Sequence, residues 1–297
     1  MDGIYGQVSR VLKDGGMESG EARAVALLLL EKVCGLTTAE ALVTDMGAAG
    51  EGGEKVMAMA RRVSEGEPVQ YVVGEADFCG LSLRVRHGVL IPRPETEELV
   101  GWIGEDGGGQ RMLDVCTGSG CVAVALASRF PDAEVEAWDV SEEALEVARM
   151  NAERCGVEVE VKRVDVLDDE EVARAMGGDG RNNCGGGWDG RDYGGWDVVV
   201  SNPPYVCEEE AKEMEAHVLE HEPWLALFVP DDDPLRFYRQ IARMGMGALR
   251  DGGRLYFEIN RRFGGEVAEM LEAMGYAEVE VRKDFCGNDR MVKAIKV

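Results

Sequence analysis

Leu113-Asp114-Val115-Cys116-Thr117-Gly118-Ser119-Gly120 decides how this chain folds. Arg111 to Val115 reads as a strand and Ser119 to Arg129 as a helix, so Gly118 falls in the turn between them and Gly120 at the start of the helix. Gly118 and Gly120 let the backbone turn tightly and approach a ligand closely. The unpaired N–H groups of the helix that follows favour an anionic or polar ligand group. The next strand, Val135 to Trp138, ends at Asp139, nineteen residues past Gly120. A carboxylate there can accept both hydroxyls of a ribose. Loop, helix, strand and terminal acid in this order point to a nucleoside cofactor. The spacing lacks the full Gly-x-Gly-x-x-Gly of dinucleotide folds, which favours S-adenosylmethionine over NAD.

Outward from this unit, strands and helices alternate. Strands are expected at Glu158 to Val164, 197–201, Gly253 to Ile259, 277–283 and 290–297, and helices from Ser141, around Asp168 to Met176, near 208–218, 234–250 and 264–274. Alternation of this kind predicts an α/β fold, an open sheet with helices on both faces and ligands at the carboxyl ends of its strands. Residues 1–75 read as a separate small helical bundle for partner recognition, with Thr37-x-x-Glu40 a capping box. A β-hairpin linker is expected over 76–92, from strands at Phe78 to Val85 and Val89 to Ile91 around Arg86-His87-Gly88. The catalytic domain is then 93–297. Within it, 177–196 holds nine glycines in twenty residues with almost no apolar periodicity, and reads as a flexible insertion.

Composition excludes several classes. Thirty-two basic against fifty-seven acidic side chains give a net charge of −25, which repels phosphate backbones, so no direct nucleic-acid binding is expected. The longest apolar run near the start, Ala24 to Leu30, is too short to span a bilayer, and Met1-Asp2-Gly3-Ile4 lacks a basic signal-peptide start. Eight scattered cysteines without a Cys-x-x-Cys pair suit reduced thiols and a cytoplasmic protein without membrane partners. His217-Val218-Leu219-Glu220-His221 formally matches a zinc motif, but Pro223 ends the helix and one further histidine, His87, remains; no metal is expected.

Asn202-Pro203-Pro204-Tyr205 follows the apolar strand Trp196 to Ser201. Neither proline has an N–H to donate, and Asn202, preceding one, is held extended. The strand end therefore offers carbonyl acceptors, one side-chain amide and one aromatic ring, a cradle for a planar NH2 group. Asp165, after the third strand, reads equally as an adenine contact and as a helix N-cap.

These residues resemble the release-factor glutamine methyltransferases, the HemK/PrmC family. The resemblance runs through Pro68-Val69-Gln70-Tyr71, Ile91-Pro92-Arg93-Pro94-Glu95-Thr96-Glu97, Asp114 to Gly120, Ser201 to Tyr205, Glu222-Pro223 with Ala226-Leu227, and Asp284 to Arg290. Asn-Pro-Pro-Tyr alone is shared with nucleic-acid amino-methyltransferases. The enzyme that methylates ribosomal protein L3 is a related alternative and differs at Pro94-Glu95-Thr96-Glu97. The resemblance implies a helical N-terminal domain and a seven-stranded methyltransferase sheet with its last strand antiparallel. It also implies N5-methylation of the glutamine in the Gly-Gly-Gln motif of class 1 peptide release factors. On this reading Asn202 and the Pro203 carbonyl accept the two amide hydrogens, and Pro204 and Tyr205 complete the substrate site, the ring packing on the glutamine. Cys116, Thr117, Gly118, Ser119 and Gly120 hold the cofactor beside Asn202, with Asp139 on the ribose and Asp165 on the adenine side. Cys116 stands where many members carry glycine, and 177–196 is longer than the family pattern.

Overall fold

Apolar residues at helical spacing build the first part of the chain. The computed structural model describes residues 3–45, 50–177 and 195–297. Helices α1 (Ile4–Asp14), α2 (Ser19–Cys34), α3 (Thr38–Val43), α4 (Gly50–Ser64) and α5 (Val69–Val73) open the chain. Ile4, Val8 and Leu12 form one buried stripe of α1, and Val56, Met59, Ala60 and Val63 the matching face of α4. The capping box forms: the Thr37 hydroxyl accepts from Glu40 N–H, and the Glu40 carboxylate accepts from Thr37 N–H at 2.9 Å. By internal contacts one unit comprises Met1–Glu75 with Met214–His221, and the other Ala76–Glu213 with Glu222–Val297.

The second unit begins with strands β1 (Glu75–Phe78) and β2 (Leu81–Arg84), then helix α6 (Pro94–Glu105). The core alternation follows as β3 (Arg111–Val115), α7 (Cys121–Arg129), β4 (Glu134–Asp139), α8 (Glu142–Cys155), β5 (Glu160–Arg163), α9 (Asp169–Ala175) and β6 (Trp196–Ser201). Next come β7 (Val206–Cys207), a 3-10 turn over Glu208–Glu213, α10 (Ala216–His221), which belongs to the first unit, then α11 (Trp224–Leu227) and β8 (Phe228–Val229). The chain closes with α12 (Arg236–Ala248), β9 (Leu249–Glu258), α13 (Gly264–Ala273), β10 (Tyr276–Lys283) and β11 (Asp289–Lys296).

Seven strands form one sheet in the order β10-β11-β9-β6-β3-β4-β5, with β11 antiparallel to both neighbours. The strands from β9 to β5 are parallel. Side chains alternate between two cores. Leu113, Val115 and Val199 face one, Met112, Val198 and Val200 the other, and all of β6 is buried, as expected of a sheet covered on both faces.

Four local expectations shift. The hairpin turns earlier than read: Cys79 (φ 49°) and Gly80 (φ 76°) form the two-residue turn between β1 and β2, both left-handed, as a tight hairpin requires. Residues 85–92 are not strand, because the Ile91 N–H goes to the Glu222 carboxylate at 3.3 Å instead of a ladder. The helix expected near 208–218 breaks into the 3-10 turn and α10; the turn buries no residue, so no packed face sustains an α-helix there. β9 starts at Leu249, its pairing with β6 interrupted by a bulge between Trp196 and Val198. Of the expected insertion, 178–194 lies outside the described residues, while Trp196 already belongs to β6.

Gly120 has φ 78°, and a Cβ there would sit 2.8 Å from Ala148 Cβ and 2.9 Å from Ala148 Cα. Gly120→Ala is therefore expected to lower stability by about 2 kcal/mol or more, from steric overlap and backbone strain together. Urea unfolding measures it, and an unchanged midpoint would contradict the close α7–α8 packing.

Candidate active site

The chain runs from β3 to β4 and β5 on one side, then returns to place β6 on the other, so a crevice opens at the carboxyl ends of β3 and β6. A cavity of about 270 Å³ occupies this edge. Cys116, Thr117, Gly118, Ser119, Asp139, Asp165, Asn202 and Pro204 line it, which brings together most residues singled out from the sequence. Gly120, Pro203 and Tyr205 are not among its lining residues.

The loop is shaped by carboxylates. Asp114, buried at the end of β3, accepts from the Thr117 hydroxyl at 2.6 Å and from Ala123 N–H at 3.1 Å, tying strand, loop and α7 together. Burial pushes its carboxyl up to about 7, against the pull of those two hydrogen bonds. Asp139 accepts from Gly118 N–H and from Ser141 N–H, each at 2.9 Å, and burial raises it too. Cys116 adopts φ 61°, and burial with the nearby Asp139 charge holds its thiol well above the ordinary range. Gly118 has φ 55°, and a Cβ there would meet no atom within 4 Å, so the backbone is open on its cavity side. The N-cap of α9 is Asp168, not Asp165; the Asp165 carboxylate instead accepts from Leu167 N–H at 2.9 Å beside the cavity.

The other wall is built by residues distant in sequence. Asn202 Nδ2 donates to Thr96 Oγ1 at 3.2 Å, and Thr96 Oγ1 donates to the buried Glu258 at 2.6 Å. Tyr205 Oη donates to the other Glu258 oxygen at 3.0 Å. Its hydroxyl is thus engaged by Glu258, and Tyr205 is not among the residues that line the cavity. Arg93, which lines the cavity, pairs with the buried Glu222 carboxylate at 2.5 Å. Thr96, Glu258, Arg93 and Glu222 escaped the search for site residues, although three of them lie inside motifs that carried the resemblance. Glu258 gave no local signal beyond an acid ending an apolar strand. Among the described residues no group of three or more His, Cys, Asp or Glu side chains is arranged to hold a metal ion, and no helix is long and apolar enough to cross a membrane.

Sheet order, glycine loop and the acid ending β4 define the fold of the S-adenosylmethionine-dependent methyltransferases. A Methyltransferase small domain model matches residues 96–176, and a PrmC N-terminal domain model matches 5–74. Release factor glutamine methyltransferase of Bacteroides thetaiotaomicron is 50% identical over 234 residues, 78% of this chain and 77% of that protein. The Bacillus subtilis protein of the same name is 35% identical over 289 residues, 94% of this chain and 93% of its own. Among solved structures, a release factor-specific protein-(glutamine-N5) methyltransferase from Alicyclobacillus acidocaldarius matches at TM-score 0.40 and 25% identity, covering 72% of this chain and 99% of that one. The chain belongs to the release factor glutamine methyltransferase family.

Asp114 has a pH consequence. Its folded pKa, about 7, lies above the roughly 4 of an unfolded aspartate. Between these values the native state binds more protons than the unfolded chain, so this group's contribution is full below about pH 4, falls as pH rises, and levels off above about 7. Asp114→Asn removes that titration. Stability of the parent chain relative to the variant should therefore decline from pH 4 to 7; parallel denaturation curves across that range would contradict it.

Proposed function

We propose that this chain methylates the N5 amide nitrogen of the glutamine in the Gly-Gly-Gln motif of class 1 peptide release factors, with S-adenosylmethionine as donor. The observation that carries the proposal is Asn202: its amide nitrogen is engaged by Thr96, and its oxygen is left without a donor among the described residues, on the wall of the cavity that Gly118 and Asp139 also line. The cavity suits the donor. Its open backbone at Gly118 admits close approach, and Asp139 and Asp165 present carboxylate acceptors of the kind that ribose hydroxyls and adenine N–H groups require. When bound, S-adenosylmethionine supplies an electrophilic methyl group on a sulfonium.

The protein's task is alignment. A primary amide nitrogen is a weak nucleophile because its lone pair is delocalised into the carbonyl, and fixing its position can contribute several kcal/mol, on the order of the gains seen for well-oriented intramolecular reactions. The Asn202 oxygen and the Pro203 carbonyl accept the two amide hydrogens, which favours the positive charge developing on nitrogen. Thr117, Gly118 and Ser119 hold the methionine portion of the donor, with Cys116 filling the loop beside them. The product proton leaves to water, so no strong base is needed. Tyr205 supports Asn202 from behind, through Glu258. Residues 1–75 serve recognition of the release factor, 76–92 link, and 93–297 carry out transfer. Such a substrate implies work in translation termination, in the cytoplasm.

Labelled S-adenosylmethionine incubated with the protein and purified release factors, ribosomal protein L3 or DNA should label the Gly-Gly-Gln glutamine alone, as read by mass spectrometry. Label in L3 or DNA but not in release factors would overturn the proposal. Asn202→Ala should lower kcat by about 10²-fold or more while calorimetry shows intact donor binding. Asp139→Ala should weaken donor binding by about tenfold, the size of a lost charge-assisted hydrogen bond; unchanged affinity would contradict its ribose role.

A further inference from the structure

Glu258 ends β9 with 1% of its surface exposed, and each carboxylate oxygen meets one hydroxyl: Thr96 Oγ1 at 2.6 Å and Tyr205 Oη at 3.0 Å. A threonine hydroxyl has a single proton. Once that proton is directed at Glu258, Thr96 Oγ1 can only accept, and Asn202 must meet it with the nitrogen end of its carboxamide, as it does at 3.2 Å. The oxygen end is then the one left for a ligand. The two ends of a carboxamide are nearly the same shape, so only this hydrogen-bond pattern distinguishes them.

We propose that Glu258 is a positioning residue that sets the polarity of the acceptor site through Thr96, making Asn202 an obligate hydrogen-bond acceptor and so selecting a side-chain amide over a carboxylate. The proposal rests on the glutamine reading above. With Asn202 Oδ1 and the Pro203 carbonyl both acceptors, the cradle matches an NH2 group with two donors. A glutamate side chain would present oxygens to oxygens, and a site whose polar groups are left unpaired rejects such a ligand strongly. Burial pushes the Glu258 carboxyl up, opposed by the two hydroxyl donors and the Arg290 charge; the relay itself stands on the geometry, in which both hydroxyls donate to this carboxyl group. If the relay is broken, Asn202 can rotate its carboxamide by a half-turn and present NH2, which suits a carboxylate.

The test has two arms, using full-length protein with S-adenosylhomocysteine bound. In the first, NMR of the Asn202 side-chain amide, assigned by its loss in Asn202→Asp, should show a cross-relaxation contact to the Thr96 methyl in the parent chain and a second, flipped population in Glu258→Gln. This arm reads the relay whatever the acceptor is. In the second, affinity is measured for a release factor and for the same factor with its Gly-Gly-Gln glutamine changed to glutamate. The preference for glutamine should fall by about tenfold or more in Glu258→Gln and Thr96→Val, a loss of one well-formed hydrogen bond, and Thr96→Ser should retain it. Donor affinity and Tm of Glu258→Gln are recorded alongside. A single unflipped amide with the parental preference in both variants, or a lowered Tm with the preference intact, overturns the proposal. Failure of the parent chain to bind any release factor would overturn the glutamine reading alone, leaving the first arm to decide the relay.

Discussion

The glycine-loop wall of the cavity depends on one buried carboxylate. Asp114 sits on β3, an inner strand between β4 and β6, and is almost wholly buried. A carboxylate so placed needs donors, and the loop supplies them: the Thr117 hydroxyl and the Ala123 N–H converge on a single oxygen. That convergence folds residues 116–120 back over the strand end. Two further bonds lash the loop to β4, from Thr117 N–H to the Trp138 carbonyl and from Gly118 N–H to Asp139, each at 2.9 Å. The cavity wall is thus a consequence of register, since Val115 pairs with Trp138 and brings Asp139 alongside the loop.

The acceptor half is held by a different means. Here the local backbone decides little, and side chains far apart in sequence decide most. Glu222, its carboxylate almost wholly buried, accepts from Arg93 and from Ile91 N–H, which pins the approach to α6. Glu258 accepts from Thr96 one turn further on. Breaking a buried pair of this kind is costly, whereas its net contribution to stability is small, so its value lies in specifying one geometry. The segment 91–96 is thereby tied to the Asn202 strand end.

This division explains what could be read in advance. Strand alternation, the glycine loop and Asp139 were legible because each is a local pattern whose period or turn chemistry appears within twenty residues. Gly120 was legible as a special residue, yet its reason differs: it makes room for Ala148 and lies outside the cavity lining. The hairpin was misplaced because β-branched composition at 85–91 outweighed a Cys-Gly turn, and cysteine carries no obvious signal for a left-handed backbone. The bond of Tyr205 to Glu258 is not legible in advance, because the two residues are 53 positions apart and no local window spans them. Asp165 was balanced between two roles, and Asp168 proves to be the cap.

Cys116 brings the two halves together. A non-glycine residue at φ 61° carries a strain of roughly 1 kcal/mol, and it persists where surrounding bonds over-determine the backbone. The bonds that do so are those of its neighbours: Asp114 grips Thr117 from one side, and the Ser201 hydroxyl donates to the Val115 carbonyl at 2.6 Å from the other. Desolvation, with the nearby carboxylates Asp139, Asp114 and Asp165, pushes the Cys116 thiol well above its ordinary range and keeps it protonated. A thiol in that state is a poor nucleophile. Cysteine is therefore tolerated at this left-handed position because the network that shapes the loop also bears its strain and suppresses its reactivity.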